Sequence, residues 1–314
     1  MRVVVTGGAG FIGAHSCRAL LEAGHSVTAV DDLSHGKREA IPRGADMVII
    51  DVRSPQLAAE LVRLQPEAVL HLAAQMDVRR SVADPLYDAS VNVLGTVNAL
   101  AAARKTGARR FVFASSGGAV YGEQDAFPAP EQHPRRPASP YGVSKLCGEE
   151  YAELARREGL STISLRYANV YGPGQDPLGE AGVVAIFLHR MVHGGDPVIN
   201  GDGRQTRDFV YVEDVARANL LALTSEATGA LNVGTGVETS IEDLARLLAA
   251  AAGYPKAVGH GPAAPGEQRR SSVDSRAARD QLGWEPLVPL GEGLRRTAEW
   301  FRARARTQLA TPAM

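Results

Sequence analysis

Tyr141 and Lys145 stand four residues apart in Ser139-Pro140-Tyr141-Gly142-Val143-Ser144-Lys145, and the chain begins with a glycine-rich turn, Thr6-Gly7-Gly8-Ala9-Gly10-Phe11-Ile12-Gly13. Residues i and i+4 of a helix share a face, so the phenol and the ammonium would project into one cleft. A free phenol, with a pKa of about 10, is a poor base at neutral pH. A neighbouring cation, joined by the positive ring of an oxidised nicotinamide, would favour the phenolate. Bringing the pKa down to about 7 takes about 3 units, on the order of 4 kcal/mol of differential electrostatics. A surface Tyr/Lys pair would have the same spacing, yet lysine is rare here: Lys37, Lys105, Lys145 and Lys256 are the whole complement among 34 Lys and Arg residues. The accidental pairing is roughly a one-in-ten event, and the glycine turn lowers it further. Together the two features describe a dinucleotide beside a tyrosine able to move a proton, the minimum equipment for hydride transfer.

The glycine turn follows an apolar run and opens a helical segment, where its backbone N–H groups would meet a pyrophosphate at the helix N-terminus. A lone Gly-x-Gly-x-x-Gly is weak evidence, but two spacings overlap here, Gly8-x-Gly10-x-x-Gly13 and Gly7-x-x-Gly10-x-x-Gly13. An acidic residue should follow by about 20 positions to hold the adenosine ribose hydroxyls, and Asp31 closes the second apolar run. Read as a turn carboxylate it would do nothing for the cofactor; read as the ribose partner it would repel a 2′-phosphate and favour NAD over NADP. Asp51, after the third run, suits either an adenine contact or a loop cap.

These residues need a scaffold, and the pattern supplies one. Val3 to Thr6, Ser26 to Val30, Met47 to Ile50, Ala68 to Leu72 and Arg110 to Ala114 are short apolar or β-branched runs separated by segments of helical period, such as Phe11 to Glu22. Strands buried on both faces and alternating with helices form a parallel, doubly wound α/β sheet with right-handed crossovers. Pro140 to Glu158 is helical through Leu146, Tyr151 and Leu154, with Pro140 suited to the first turn, and Ser161 to Arg166 is a further strand. Beyond Tyr167 the texture turns to Gly and Pro clusters that recur through Gly266. The expected organisation is a dinucleotide-binding domain over residues 1–170, rejoined around 209–233, and a smaller C-terminal substrate lobe made of 171–208 and 234–314.

Composition excludes several classes. Of the 314 residues 45% are hydrophobic and 22% charged, with a formal net charge of -1, so no global field draws nucleic acid or an anionic membrane. The Arg-rich segment Arg295-Arg296…Arg302-Ala303-Arg304-Ala305-Arg306 reads as the solvated face of a terminal helix, with disorder beyond Arg306. Cys17 and Cys147 lie inside helical segments without metal or redox spacing, as buried thiols of a reducing compartment would. The first apolar run is too short for a signal peptide and no stretch reaches membrane-spanning length, so a cytoplasmic protein is expected.

The same residues extend into a wider resemblance. The chain resembles the extended short-chain dehydrogenase/reductases, Rossmann-type proteins, and within them the nucleotide-sugar 4-epimerases. The likeness runs from Val3 to Trp300 through His71-Leu72-Ala73-Ala74-Gln75, Asn92-Val93-Leu94-Gly95-Thr96, Ser115-Ser116-Gly117-Gly118-Ala119-Val120-Tyr121-Gly122, Leu165-Arg166-Tyr167-Ala168-Asn169-Val170-Tyr171-Gly172-Pro173, Arg207-Asp208-Phe209-Val210-Tyr211-Val212-Glu213-Asp214 and Leu231-Asn232-Val233-Gly234. It implies an isomerase with tightly held NAD that interconverts UDP-glucose and UDP-galactose. Tyr141 would take the sugar O4 proton while hydride leaves C4; the transient 4-keto sugar turns over and is reduced on its other face. The resemblance implies Ser116, Tyr141 and Lys145 as the catalytic set. It puts Gly7, Gly10, Phe11, Ile12, Gly13, Asp31, Asp32, Ser34, Gly36, Asp51, Val52, Leu72, Ala73, Ala74, Asn92, Ser115 and Tyr167 around the cofactor. Gln75, Ser116, Asn169, Val183, Val184, Arg207, Glu267, Arg269 and Ser271 would hold the UDP-hexose. It also implies a homodimer paired through helices near Leu86–Arg104 and Tyr141–Arg157.

The chain departs from that pattern in three places. Many epimerases carry the catalytic hydroxyl four residues before the tyrosine of the Val-Tyr pair, where this chain has Gly117; Ser116 precedes it by one. The late phosphate-gripping Arg is replaced by Ala264, leaving Glu267 and, as a substitute cation, Arg269. A bulky pocket residue aligns near Ser271, a small side chain that would admit a 2-acetamido group, so UDP-N-acetylhexosamines are also expected substrates. A UDP-glucuronate 4-epimerase stays open as an alternative. A nucleotide-sugar 4,6-dehydratase is disfavoured because Gly117-Gly118 stand where its acidic pair follows the hydroxyl, and a decarboxylase for want of the corresponding Glu. A non-catalytic NAD-sensing protein would have no reason to keep both Tyr141 and Lys145.

Overall fold

A computed structural model describes residues 1–178, 182–264 and 266–310, with no side-chain description for 308–310. The first half alternates strands and helices: β1 (Arg2–Thr6), α1 (Phe11–Glu22), β2 (Ser26–Asp31), β3 (Asp46–Ile49), α2 (Leu57–Leu64), β4 (Ala68–His71), α3 (Val78–Ala83), α4 (Pro85–Ala89), α5 (Gly95–Thr106), β5 (Arg110–Ser116), α6 (Gly117–Tyr121), α7 (Pro140–Arg157) and β6 (Ser161–Tyr167). There follow β7 (Asn169–Tyr171), α8 (Val183–Val192), β8 (Val198–Asn200), β9 (Thr206–Tyr211), α9 (Val212–Thr224), β10 (Gly229–Val233), β11 (Glu238–Ser240), α10 (Ile241–Ala252), β12 (Gly259–Gly261), α11 (Arg276–Leu282) and α12 (Leu290–Ala310).

Seven strands form one sheet in the order β3-β2-β1-β4-β5-β6-β10, every pair parallel. Successive side chains of a strand point to opposite faces, and here both faces are covered. Val3 and Val5 pack with Cys17 and Leu20 of α1 and with Val215, Ala218 and Ala222 of α9. Val4, Val69, Phe111 and Phe113 pack with Leu57 and Leu61 of α2 and Ala99, Leu100 and Ala103 of α5. This two-sided burial explains why the strands read as continuous apolar runs. The chain order reverses between β1 and β4, which opens a crevice at the carboxyl ends of the strands.

A second core gathers Phe187 and Leu188 of α8, Leu244 and Leu248 of α10, and Leu294 and Phe301 of α12. Beside it lie a three-stranded sheet, β11-β9-β7, and a two-stranded one, β12-β8. The apolar run at Phe209 to Leu223 predicts a return to the main sheet, but β9 joins the small sheet; α9, on the face of the main sheet, and β10, at its edge, make the return. Ala278, Leu282 and the fully buried Trp284 also belong to the first core, although they fall in the 234–314 stretch expected in the lobe. The indole is drawn there by α9, where its Nε1 donates to the Asp214 carbonyl at 2.8 Å.

Three local expectations are revised. Leu86–Arg104 is not one α-helix, because a π-turn at Ser90–Leu94 separates α4 from α5. Cys17 is buried, but Cys147 is only half-buried. Helix α12 continues past Arg306 to Ala310; residues 311–314 lie outside the described residues. Its arginines do form a solvated face, with Arg295 bridging Glu292 and Glu299. No helix among the described residues is long and apolar enough to cross a membrane.

Candidate active site

The crevice at the strand ends is a cleft open to solvent. At its floor the backbone of the glycine turn leaves no room for side chains. A Cβ on Gly7, whose φ is +70°, would meet the Ala73 nitrogen at 2.7 Å, and one on Gly13 would collide with the Gly7 carbonyl oxygen. Helix α1 starts beyond Gly10 with no side-chain cap, so the first-turn N–H groups of Phe11, Ile12 and Gly13 face the cleft as an anion site. At the end of β2 the buried Asp31 accepts from Ala9 N at 3.0 Å and Leu33 N at 2.8 Å. Burial raises its pKa, the two backbone donors oppose the rise, and Asp32 adds to it. A glycine cradle, a bare helix N-terminus and a fixed carboxylate about 20 residues on fit a dinucleotide with an unphosphorylated ribose.

Asp32, Ser34, Gly36, Asp51, Val52, Leu72, Ala73, Ala74, Ser115 and Tyr167 line the same cleft, as do Gln75, Tyr141 and Lys145. Ile50, Met76, Tyr87 and Val91 line it as well; as apolar or aromatic members of ordinary segments they carry no sequence signal. Asp51 is held by the Arg53 guanidinium at 2.9 and 3.0 Å, which keeps its carboxyl below the usual range, partly opposed by burial.

Ser139 caps α7, its side chain accepting from Gly142 N at 3.1 Å, and Pro140 fills the first position. Tyr141 is thus fixed in the first helical turn and Lys145 one turn on. The Ser116 hydroxyl lies close enough to the Tyr141 phenol to pull its pKa down, whereas Ser115 donates to Glu149 at 2.6 Å. The Lys145 ammonium donates to the Ala114 carbonyl at 2.8 Å and lies 5.7 Å from the Tyr141 ring centroid. Burial pushes its pKa down to about 8, against the opposing pull of Asp88 and Glu149. The phenolate is expected from the lysine together with the positive nicotinamide ring; the protein groups around the phenol push the other way. Burial raises the Tyr141 pKa, Asp88 raises it further, and only Ser116 works against them.

Behind this pair lies a polar layer that spacing gives no hint of. The π-turn directs Asn92 back toward the preceding helix, as such turns often do at functional sites. Its amide pairs with both Gln75 backbone groups at 2.8 Å and donates to Asp88 at 2.9 Å. Asn92 therefore does not line the cleft but fixes the Gln75 turn that does. Asp88 also accepts from Gln75 Nε2 at 3.0 Å and from Ser144 at 2.7 Å. Glu149, one turn beyond Lys145, accepts from buried Arg166 at 2.8 and 2.7 Å, and Arg166 donates to the Tyr121 hydroxyl at 2.9 Å. Burial would depress the Arg166 guanidinium, but Glu149 and Tyr121 hold its pKa above the ordinary value.

The expected sugar-nucleotide residues are more scattered. Arg207, mostly buried, pairs with Glu267 at 3.5 Å, and Ser271 is buried with its Oγ 3.2 Å from where a Gly118 Cβ would stand. Asn169 is exposed at the start of β7. Val184 is buried in the second core with Val183 packed beside it. The Arg269 guanidinium is held by Asp202 at 2.8 and 2.9 Å.

Residues 3–234 match the family described as NAD dependent epimerase/dehydratase. The UDP-glucose 4-epimerase of Mycolicibacterium smegmatis is 45% identical, over 97% of this chain and 100% of that one. A Thermotoga maritima UDP-glucose 4-epimerase solved with UDP-glucose superposes with a TM-score of 0.95 at 45% identity, covering 97% of this chain and 100% of that chain. A Thermus thermophilus UDP-glucose 4-epimerase in complex with NAD gives 0.91 at 44% identity, over 96% of this chain and 99% of that chain.

Proposed function

Since the chain belongs to the NAD dependent epimerase/dehydratase family, we propose that it is an NAD-dependent isomerase that interconverts UDP-glucose and UDP-galactose through a 4-keto sugar. The observation that carries this reading is that Tyr141 and Lys145, one helical turn apart on α7, line a cleft fitted to a dinucleotide, with Ser116 beside the phenol. NAD, when bound, supplies the hydride acceptor and donor for C4 and a positive ring charge that favours the phenolate. Tyr141 takes the O4 proton as the C4–H bond breaks and returns it when C4 is reduced from the other face, so each turnover is redox-neutral. Ser116 shares the O4 proton, and Lys145 keeps a cation beneath the phenolate. Ser115 is held by Glu149, which favours Ser116 for that part.

We assign the cofactor to residues 1–170 with 209–233, and the sugar nucleotide to the boundary with 171–208 and 234–314. Arg207 and Asn169 would meet the diphosphate, Glu267 a ribose, and Gln75, Val183, Val184 and Ser271 the remainder. Arg269 would have to leave Asp202 to serve as a second phosphate cation. The small Ser271 beside Gly118 is compatible with UDP-N-acetylhexosamines. A homodimer is part of the proposal: Leu86 and Leu94 are 83% and 63% exposed, and Val143, Tyr151 and Leu154 of α7 are exposed too, an apolar face suited to a four-helix contact. We place the enzyme in the cytoplasm, in keeping with its two free thiols.

The test is conversion of UDP-galactose to UDP-glucose by purified protein, scored by product NMR, without net NADH release. If neither this substrate nor UDP-N-acetylgalactosamine is converted at any enzyme concentration, the reading is wrong. Asp31→Ala is expected to release NAD on extensive dialysis, measured as the absorbance of the protein-bound fraction; unchanged occupancy would remove Asp31 from the ribose site.

A further inference from the structure

Lys145 is a buried ammonium whose direct partner is a neutral carbonyl, that of Ala114. An ion removed from water needs a counter-charge close by, and the groups around it differ in what they can offer. From β4, His71 faces it as a neutral ring. Burial, with a smaller push from Lys145, takes its pKa down to about 3. From β5 come the Ala114 carbonyl and the Phe113 ring. From α7 come Tyr141 and Glu149. The Glu149 charge is taken up by Arg166, with Arg135 at 3.8 Å as a second cation. From α4 comes Asp88, fully buried, whose three donors, Gln75, Asn92 and Ser144, are all neutral. Among the described residues Asp88 has no ion-pair partner of its own. Ser144, which it grips, lies between Tyr141 and Lys145 on the same face of α7.

We propose that Asp88 is the positioning residue of the proton-transferring pair: its carboxylate, behind Ser144, is the counter-charge that the Lys145 ammonium lacks among its direct partners, and it holds the Gln75 turn against the same face of α7. The inference deepens the epimerase reading and rests on it for the identity of the proton carrier. Removing the carboxylate makes the ammonium harder to keep, so the Lys145 pKa falls; it also relieves the phenol of a nearby anion, so the Tyr141 pKa falls too.

Full-length protein labelled with [ε-13C]lysine has four side-chain resonances, one for each lysine, and Lys145→Met assigns the relevant one. In the wild type it is expected to titrate at about 8. In Asp88→Asn the midpoint is expected to fall by about one unit. In Ser144→Ala, which keeps the charge and removes one hydrogen bond, it stays in place. With NAD-loaded enzyme, the alkaline limb of kcat/KM for UDP-galactose moves to lower pH by the same amount in Asp88→Asn, and Asp88→Glu moves it back. An unmoved lysine titration in Asp88→Asn, or an equal shift in Ser144→Ala, overturns the inference. Slower turnover with an unmoved pH profile overturns it as well, because lost packing alone would give that result. Asp88→Ser makes the same comparison if Asn is not tolerated. If wild-type enzyme converts no UDP-hexose, the functional reading fails while the lysine titration still decides the role of Asp88.

Discussion

Tyr141→Phe is expected to lower kcat by about 10²–10⁴-fold, the usual contribution of a positioned acid–base group. Retained NAD, and a KM within a few-fold of wild type, should accompany the loss. The side chain is half-buried and its place in the first turn is set by the Ser139 cap and Pro140, so the phenyl ring keeps its place and only the hydroxyl is lost. The remaining hydroxyl, on Ser116, lies near enough to influence the phenol but has no lysine one turn away. Loss of kcat and kcat/KM in equal proportion would mark an interaction made in the transition state. A variant that turns over at nearly the wild-type rate would end the acid–base role of Tyr141.

Glu149→Ala should cost about 3–5 kcal/mol of folding stability, because it leaves the Arg166 guanidinium buried without its carboxylate. Arg166 and Glu149 are each about 5% exposed or less, and the glutamate also receives the Ser115 hydroxyl. Arg135, 41% exposed and 3.8 Å away, contributes little in solvent and would not offset the loss. Urea titration of the single variant and of Glu149→Leu/Arg166→Met separates two causes. If an unpaired charge is the problem, the double replacement recovers much of the stability; if shape is the problem, it does not. A single variant within about 1 kcal/mol of wild type would mean the pair is not a closed buried contact.

The architecture is open to reading because each central strand is buried on both faces, so Val3-Val4-Val5, Ala68-Val69-Leu70 and Phe111-Val112-Phe113 have to be apolar without alternation. Gly7 and Gly13 are legible for a steric reason, since any Cβ there collides with backbone. Tyr141 and Lys145 are legible because four residues span one helical turn. Asp88, Glu149 and Arg166 are not. A carboxylate in a helical segment looks the same whether it faces water or a core, and the contacts that decide it join positions 17 or 56 residues apart. Spacing reveals the nearby lysine but neither the desolvation of Tyr141 nor the Asp88 carboxylate, the two causes that raise the phenol pKa. Trp284 falls to the wrong core because nothing in its neighbouring residues indicates which helix receives its indole.

That indole bears on how the polypeptide emerges from a ribosome. When synthesis has reached Val233, all seven main-sheet strands have been made, yet the layer over α9 still lacks Ala278, Leu282 and Trp284. The intervening stretch must supply α10, a wall of the second core, before the tryptophan is translated. Early and late segments are therefore bound into one cooperative unit, and a nascent chain halted between the two cores would expose an apolar helix face that invites chaperones.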